Sequence, residues 1–238
     1  MKKSYLLLFT AFLFSGSLIQ AQIKLPKILK SAGASGLTQE DAGKGIKEAL
    51  SQGVAKAVLN LNTPNGFFGS AIYKVLLPPD AKKVESTLRN IGMGDQVDKA
   101  ILAINRGAED AVGFATPIFV DAIKQMTLTD ALNILKGPNN AATQYFRDKT
   151  KQQLVAAFLP SIKSSLDKTD ATKYYGDIVT SYNKLPTTFK KVNPDLPGYV
   201  TDKAVDALFD QVSKEEANIR TNPAARASDI LKKVFGGK

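Results

Sequence analysis

Between Leu37 and Phe235 the apolar residues recur three and four positions apart, and alternating runs of β-branched residues are missing. That spacing places apolar side chains on one side of an α-helix, so the chain reads as all-α. Ile46, Leu50, Val54, Ala57 and Leu61 form the first such stripe. Thr38, with Asp41 at the third helical position, gives it a capping box, and Asn62 to Gly69, "NTPNGFFG", breaks it.

The remaining punctuation repeats this pattern. Pro78, Pro79 and Asp80 open a second helix with Val84 and Leu88 inward, ending at "NIGMG". Asp95 is expected to cap a long segment carrying Val97, Ile101, Ile104, Ala108 and Val112, which Pro117 kinks or breaks before Phe119 to Met126. Thr127 and Asp130 form another cap signature, and Gly137-Pro138 ends that short helix. Asn139 or Asn140 then caps a helix running towards Pro160, with Phe146, Thr150, Leu154, Ala157 and Phe158 on its inward face. Further helices are predicted around Tyr174 to Lys184, from Gly198 to Arg220, and from the cap Asn222-Pro223 through Phe235. No internal repeat or long linker interrupts the series, so the expectation is a single compact multi-helix domain of about eight to ten helices.

The first 21 residues follow a different grammar: basic Lys2 and Lys3, an apolar run from Tyr5 to Phe14, and a small-residue segment ending in Ala21. This is the pattern of a secretory signal peptide cut after Ala21, and it predicts a periplasmic or secreted protein. The segments are then residues 1–21 as signal peptide, 22–36 as lead segment, 37–235 as the helical domain and 236–238 as tail. No stretch of the mature chain approaches the ~20 apolar residues of a membrane span.

Composition removes several chemistries. With no cysteine there is no lipobox, disulfide or thiolate metal site. With no histidine, Ser/His/Asp hydrolysis, papain-like catalysis and histidine-ligated zinc are excluded. Carboxylate pairs, a lysine nucleophile and oxygen-ligated metals remain chemically open, although no cofactor, metal site or catalytic residue is identified from the sequence. The net charge is +10, about +8 without Lys2 and Lys3. Lysines spread along the whole chain read as a solvated surface; the alternative is attraction to an anionic envelope component. No motif with interleaved aromatics points to nucleic acid.

Arginine is rare, only five of the 32 basic residues, so the places that use its planar, bidentate group stand out. Asn105, Arg106, Glu109 and Asp110 lie side by side on one helix, where Arg106 reaches Glu109 and Asp110 at i+3 and i+4. In "GPNNAATQYFRDKT" Gln144 and Arg147 border the apolar face, while Tyr145 points to the other side. Glu215 falls inside the inward stripe of Val200, Ala204, Leu208, Val212 and Ile219. A carboxylate there needs a partner, and the predicted one is Arg106, Arg147 or Arg226 on another element. Asn105, Arg106, Glu109, Gln144, Tyr145, Arg147, Glu215 and Arg226 are therefore the candidate ligand-binding or structural polar cluster. Tyr174, Tyr175, Tyr182 and Tyr199 are candidate pocket or core aromatics.

The segments "INRGAEDA", "FVDAIKQMT", "NNAATQYFRDKT", "YYGDIVTSYNKLP", "GYVTDKAVDALF" and "EEANIRTNPAARASDILKKVFG", in this order, resemble the bacterial family known as domain of unknown function 4197. The resemblance runs from about Leu37 to Phe235. It implies one domain, export in Gram-negative bacteria, and motif positions at Arg106, Gln144, Tyr145, Arg147 and Arg226. The family has no assigned catalytic residues.

Three readings follow. The first is a non-enzymatic, exported binding or scaffold protein of the envelope, its partner unknown. The second is a hydrolase using carboxylates such as Glu109 and Glu215, which requires them roughly 5 to 10 Å apart in a concave site. The third is a binder of lipid or of a small anionic ligand. Carboxylates neutralised and shielded favour the first reading, unpaired ones in a cleft the second, and a tunnel lined by Tyr and Phe the third.

Overall fold

Thr38 opens the described part of the chain: its hydroxyl accepts the Asp41 amide at 3.0 Å, and the Asp41 carboxylate accepts the Thr38 amide at 3.3 Å. This box starts the helix that the apolar stripe predicts. The structure, a computed structural model, describes residues 38–90, 92–168, 170–184, 186 and 190–236. The expected signal peptide and lead segment lie outside these residues, as does the end of the tail. Among the described residues there are nine α-helices and no strand: α1 (Gln39–Leu61), α2 (Lys82–Asn90), α3 (Gly94–Val112), α4 (Ala115–Gln125), α5 (Leu128–Lys136), α6 (Ala141–Asp167), α7 (Ala171–Asn183), α8 (Leu196–Thr221) and α9 (Asp229–Phe235). Short 3₁₀ turns cover Pro79–Ala81 and Pro223–Ala225.

The centre is made where α6 lies along α3 and α8, with α1 laid against α8, α5 and α9. Phe119 of α4 meets Phe146 of α6 edge-on at 5.0 Å and Phe209 of α8 at 6.1 Å, and all three rings are fully buried. α3 and α6 approach closely at Gly107, where an added Cβ would sit 3.0 Å from the Ser165 Cβ. None of the described helices is long and apolar enough to cross a membrane.

Several boundaries differ from the sequence expectation, each for a local reason. Helix α3 ends at Gly113 rather than at Pro117, and Pro117 is the third residue of α4, where its missing N–H has no helical acceptor to lose. Asp95 is the second residue of α3, and the cap position is Met93. Asn140 holds the cap position of α6 but makes no side-chain cap bond. Helix α6 runs through Pro160 to Asp167. A helix-interior proline costs about 3 kcal/mol. Phe158, Ile162 and Leu166 are fully buried around it, and each contributes about 1.5–3 kcal/mol of burial, so packing wins. The last helix begins at Ser228, whose hydroxyl accepts the Leu231 amide, because the chain after Asn222 first turns in 3₁₀ geometry.

Candidate functional site

Two polar clusters sit inside this helical frame. The first is on α3 and holds the long connection that follows α1. Asn105 is fully buried; its amide oxygen accepts the Val75 N–H at 2.8 Å, and its amide nitrogen donates to the Val75 and Ile101 carbonyls at 2.8 and 2.7 Å. One side chain thus does for Val75 what a neighbouring strand would do. One turn on, Glu109 is 4% exposed. One of its oxygens accepts the Phe67 and Phe68 amides at 3.1 and 3.0 Å, while the other is paired with the Arg106 guanidinium. Arg106 also donates to Asn65, and Asn62 donates to the Glu109 carbonyl. Asn65 has a left-handed backbone, φ 70°, and a Cβ on Gly66 would lie 2.4 Å from the Leu61 carbonyl oxygen. The "NTPNGFFG" turn is therefore fixed by its own backbone and clamped by α3, with Phe67 fully buried beneath it.

The second cluster is on α8. Glu216 is 7% exposed and takes donors from α6 and from α8 itself. It accepts the Ala142 and Thr143 amides at 3.0 and 2.9 Å and the Thr143 hydroxyl at 2.8 Å, which supplies the α6 cap that Asn140 does not. Arg220, one turn later and equally buried, donates to Glu216 at 2.8 Å and to the Ile134 carbonyl of α5 at 2.8 Å. A single ion pair thereby joins α8 to the start of α6 and the end of α5, the termini where backbone groups lack helical partners.

The other predicted residues fall around these clusters. Glu215 is buried, as expected, and it does tie α8 to another helix. Its partner is Lys56 of α1 at 2.9 Å, not an arginine; α1 lies closer to this face, and Lys56 keeps its stem on α1 while its ammonium reaches over. Arg226 donates to the Ile219 and Arg220 carbonyls at 3.1 and 2.9 Å and so caps the end of α8. Arg147 pairs with Asp206 at 3.2 Å and stacks over Phe209 at 4.5 Å, answering to neither Glu109 nor Glu215. Gln144 is exposed, and Tyr145 is half-buried beside Phe146. The eight candidates therefore do not form one site. Asn105, Arg106 and Glu109 come together, Glu215 sits on α8 and Arg226 beyond its end, and Arg147 stands alone with Asp206.

The sequence pattern of the family described as protein of unknown function (DUF4197) matches residues 36–236. The chain belongs to the DUF4197 family. Neither the curated proteins nor the solved structures give a match to it.

For this DUF4197 member the structure adds residues that the sequence reading passed over. Glu216 and Arg220 are the most engaged pair, and a signal for them was present: Glu216 lies four positions after Val212 and three before Ile219, on the inward stripe. A third group, Tyr73, donates within reach of Asp210 and Gln211 at 2.8 Å and accepts from Lys214 at 2.7 Å. Nothing local in the sequence foretells that meeting, because Tyr73 and α8 are joined only by the tertiary fold. Among the described residues no group of three or more acids gathers as an oxygen-ligated metal would need.

The tyrosines divide as well. Tyr174 and Tyr175, with Leu77, Val84 and Leu88, line an apolar cavity of about 100 Å³ between α2, α3 and α7, well below the ~300–1,000 Å³ of ordinary ligand pockets. Tyr175 is buried and donates to the Asn193 carbonyl at 3.0 Å. Burial pushes its hydroxyl up to about 12 from an ordinary 10.0, with Tyr199 and Asp80 adding repulsion. The neutral phenol is thus favoured by folding, so its contribution is complete below pH 10 and lost as pH rises towards 12. Chemical denaturation between these values should show falling stability, with a shallower fall in Tyr175→Phe; identical slopes would show that another group carries it.

Proposed function

We propose that this protein is an exported, non-enzymatic binding or scaffold protein of the bacterial envelope. Export is supported by the basic start, short apolar run and small-residue end of residues 1–21 and by the habit of the family that the chain resembles. The observation that carries the non-enzymatic reading is the engagement of the three buried glutamates. Glu109 holds two backbone amides and Arg106, Glu216 holds two amides, a hydroxyl and Arg220, and Glu215 meets Lys56. A carboxylate hydrolase needs one acid to give up a proton and another to face water or substrate across a shared cleft. Glu109 instead faces the turn after α1, and Glu215 faces the middle of α1, with no partner in common.

The test is native mass spectrometry of the mature protein purified from its own compartment at low salt. The expected spectrum contains a complex of the chain with a partner or ligand that dissociates as salt is raised. A bare monomer under all conditions contradicts the binding reading.

A further inference from the structure

Past the clamp, the chain leaves a turn at residues 71–73 and crosses the surface from Lys74 to Pro78 without helical structure. Its burial alternates: Tyr73 is half-buried, Lys74 exposed, Val75 buried, Leu76 exposed, Leu77 half-buried. That period of two is the mark of an extended chain with one side covered. Asn105 takes both the N–H and the C=O of Val75. In an extended backbone the groups of residues on either side point the opposite way. On that opposite side the Leu76 amide has no acceptor among the described residues, while the Lys74 amide bonds to the Ser70 carbonyl at 3.2 Å and Pro78 has no N–H. Ile72 is 72% exposed and Leu76 54%. An apolar segment with one open backbone edge is what a soluble protein normally blunts or covers.

The segment forms one wall of a groove of about 580 Å³ whose other wall is the first half of α8. Its charges do not balance. The acids on its walls are engaged: Glu85 by Arg89, which it shares with Asp98, Asp206 by Arg147, and Asp210 by Lys214. Lys82 and Lys203 line the same groove and form no ion pair among the described residues, and Lys74 joins them with its ammonium over the Phe68 ring at 4.2 Å and Asp98 nearby. The space is therefore positive, apolar along one side, and edged by the unpaired Leu76 amide.

We propose that this groove binds an extended acidic polypeptide segment, which pairs with the outward Leu76 peptide group as a short strand and meets Lys74, Lys82 and Lys203 with its carboxylates. The inference rests on the binding reading above and supplies the chemistry of the partner. A peptide satisfies the open Leu76 amide through its own backbone as well as the lysines through its side chains. A phospholipid surface or a nucleic acid supplies anions but no matching backbone ladder.

The test uses the full mature chain and a labelled peptide of about twelve alternating Glu and Val residues, followed by fluorescence anisotropy, with Lys-Val and all-Glu peptides of equal length beside it. The Glu-Val peptide is expected to bind, the Lys-Val peptide not, and the all-Glu peptide at least tenfold more weakly. The double variant Lys74→Glu/Lys203→Glu changes only exposed side chains and should weaken Glu-Val binding about tenfold or more. Leu76→Pro, which removes an open amide without altering charge, should also weaken it. Binding untouched by the double variant overturns the proposal, as does equal binding of all-Glu and Glu-Val peptides. Phosphatidylglycerol vesicles that bind through the same lysines while the Glu-Val peptide does not would assign the groove to a membrane instead. If the peptide fails but native mass spectrometry still shows a partner, the groove is wrong and the binding reading stands. Cleavage of the peptide, read by its mass after incubation, would overturn both.

Discussion

Arg220→Met is expected to destabilise the domain more than any surface substitution, by about 3–5 kcal/mol, because it leaves Glu216 charged and unpaired in the interior. Methionine replaces most of the arginine's volume, so the loss reflects charge and hydrogen bonding rather than a cavity. The Ile134 carbonyl at the end of α5 loses its donor in the same step. For a domain of this size each kcal/mol lowers the melting temperature by about 2–4 °C, so a fall of roughly 6–20 °C is expected by calorimetry. Replacing Glu216 by Leu as well removes the stranded charge but also strips the Ala142 and Thr143 amides of their acceptor. The double variant should therefore recover only part of the loss. Full recovery would mean that capping α6 contributes nothing.

Glu109→Ala should be nearly as severe, and its effect should be local as well as global. The Phe67 and Phe68 amides lose their acceptor in a buried setting, where each unsatisfied group costs about 1–3 kcal/mol. Arg106 is left without its acid, but its side chain is 40% exposed and water can replace the contact, so this part is small. The turn at residues 62–69 should loosen before the helices do. Native-state hydrogen exchange at Phe67 and Phe68 should accelerate far more than at the α6 core around Phe158. Equal acceleration at both places would show that Glu109 supports the whole domain and not the turn.

The contrast between these two sites shows what a sequence of this kind makes readable. Helices α1 and α5 could be placed to the residue, because Thr38/Asp41 and Thr127/Asp130 write their caps within four positions. Arg106 and Glu109 were legible for the same reason, being neighbours on one helical face. Their shared task was not, since the Phe67 and Phe68 amides come from a turn some forty residues away. The end of α3 was misplaced because proline is harmless in a helix's first turn, so Pro117 could not mark the break. The start of α6 was legible in position but not in chemistry: Asn140 holds the cap position as expected, but the donor groups are answered by Glu216 from α8. Glu215 drew attention as a lone acid in an apolar stripe, and it was indeed buried. Which cation meets it depends on the relative rotation of α1 and α8, and no local pattern encodes that.

The groove follows the same logic. Within "AIYKVLLPP" the apolar residues are covered unequally. The fold covers only Val75 fully and leaves Ile72 and Leu76 open. Asn105 is what makes this stable, because it satisfies the inner edge of the segment without a strand.

The central claim is that the buried acids act on the fold and not on a substrate. It is tested most directly by the melting temperature of Glu109→Gln, an isosteric change that removes the charge and one acceptor oxygen. The account predicts a loss of about 2–3 kcal/mol and hence a melting temperature lower by roughly 4–12 °C. A melting temperature equal to or above that of the unaltered protein, as when a strained catalytic group is removed, would contradict it.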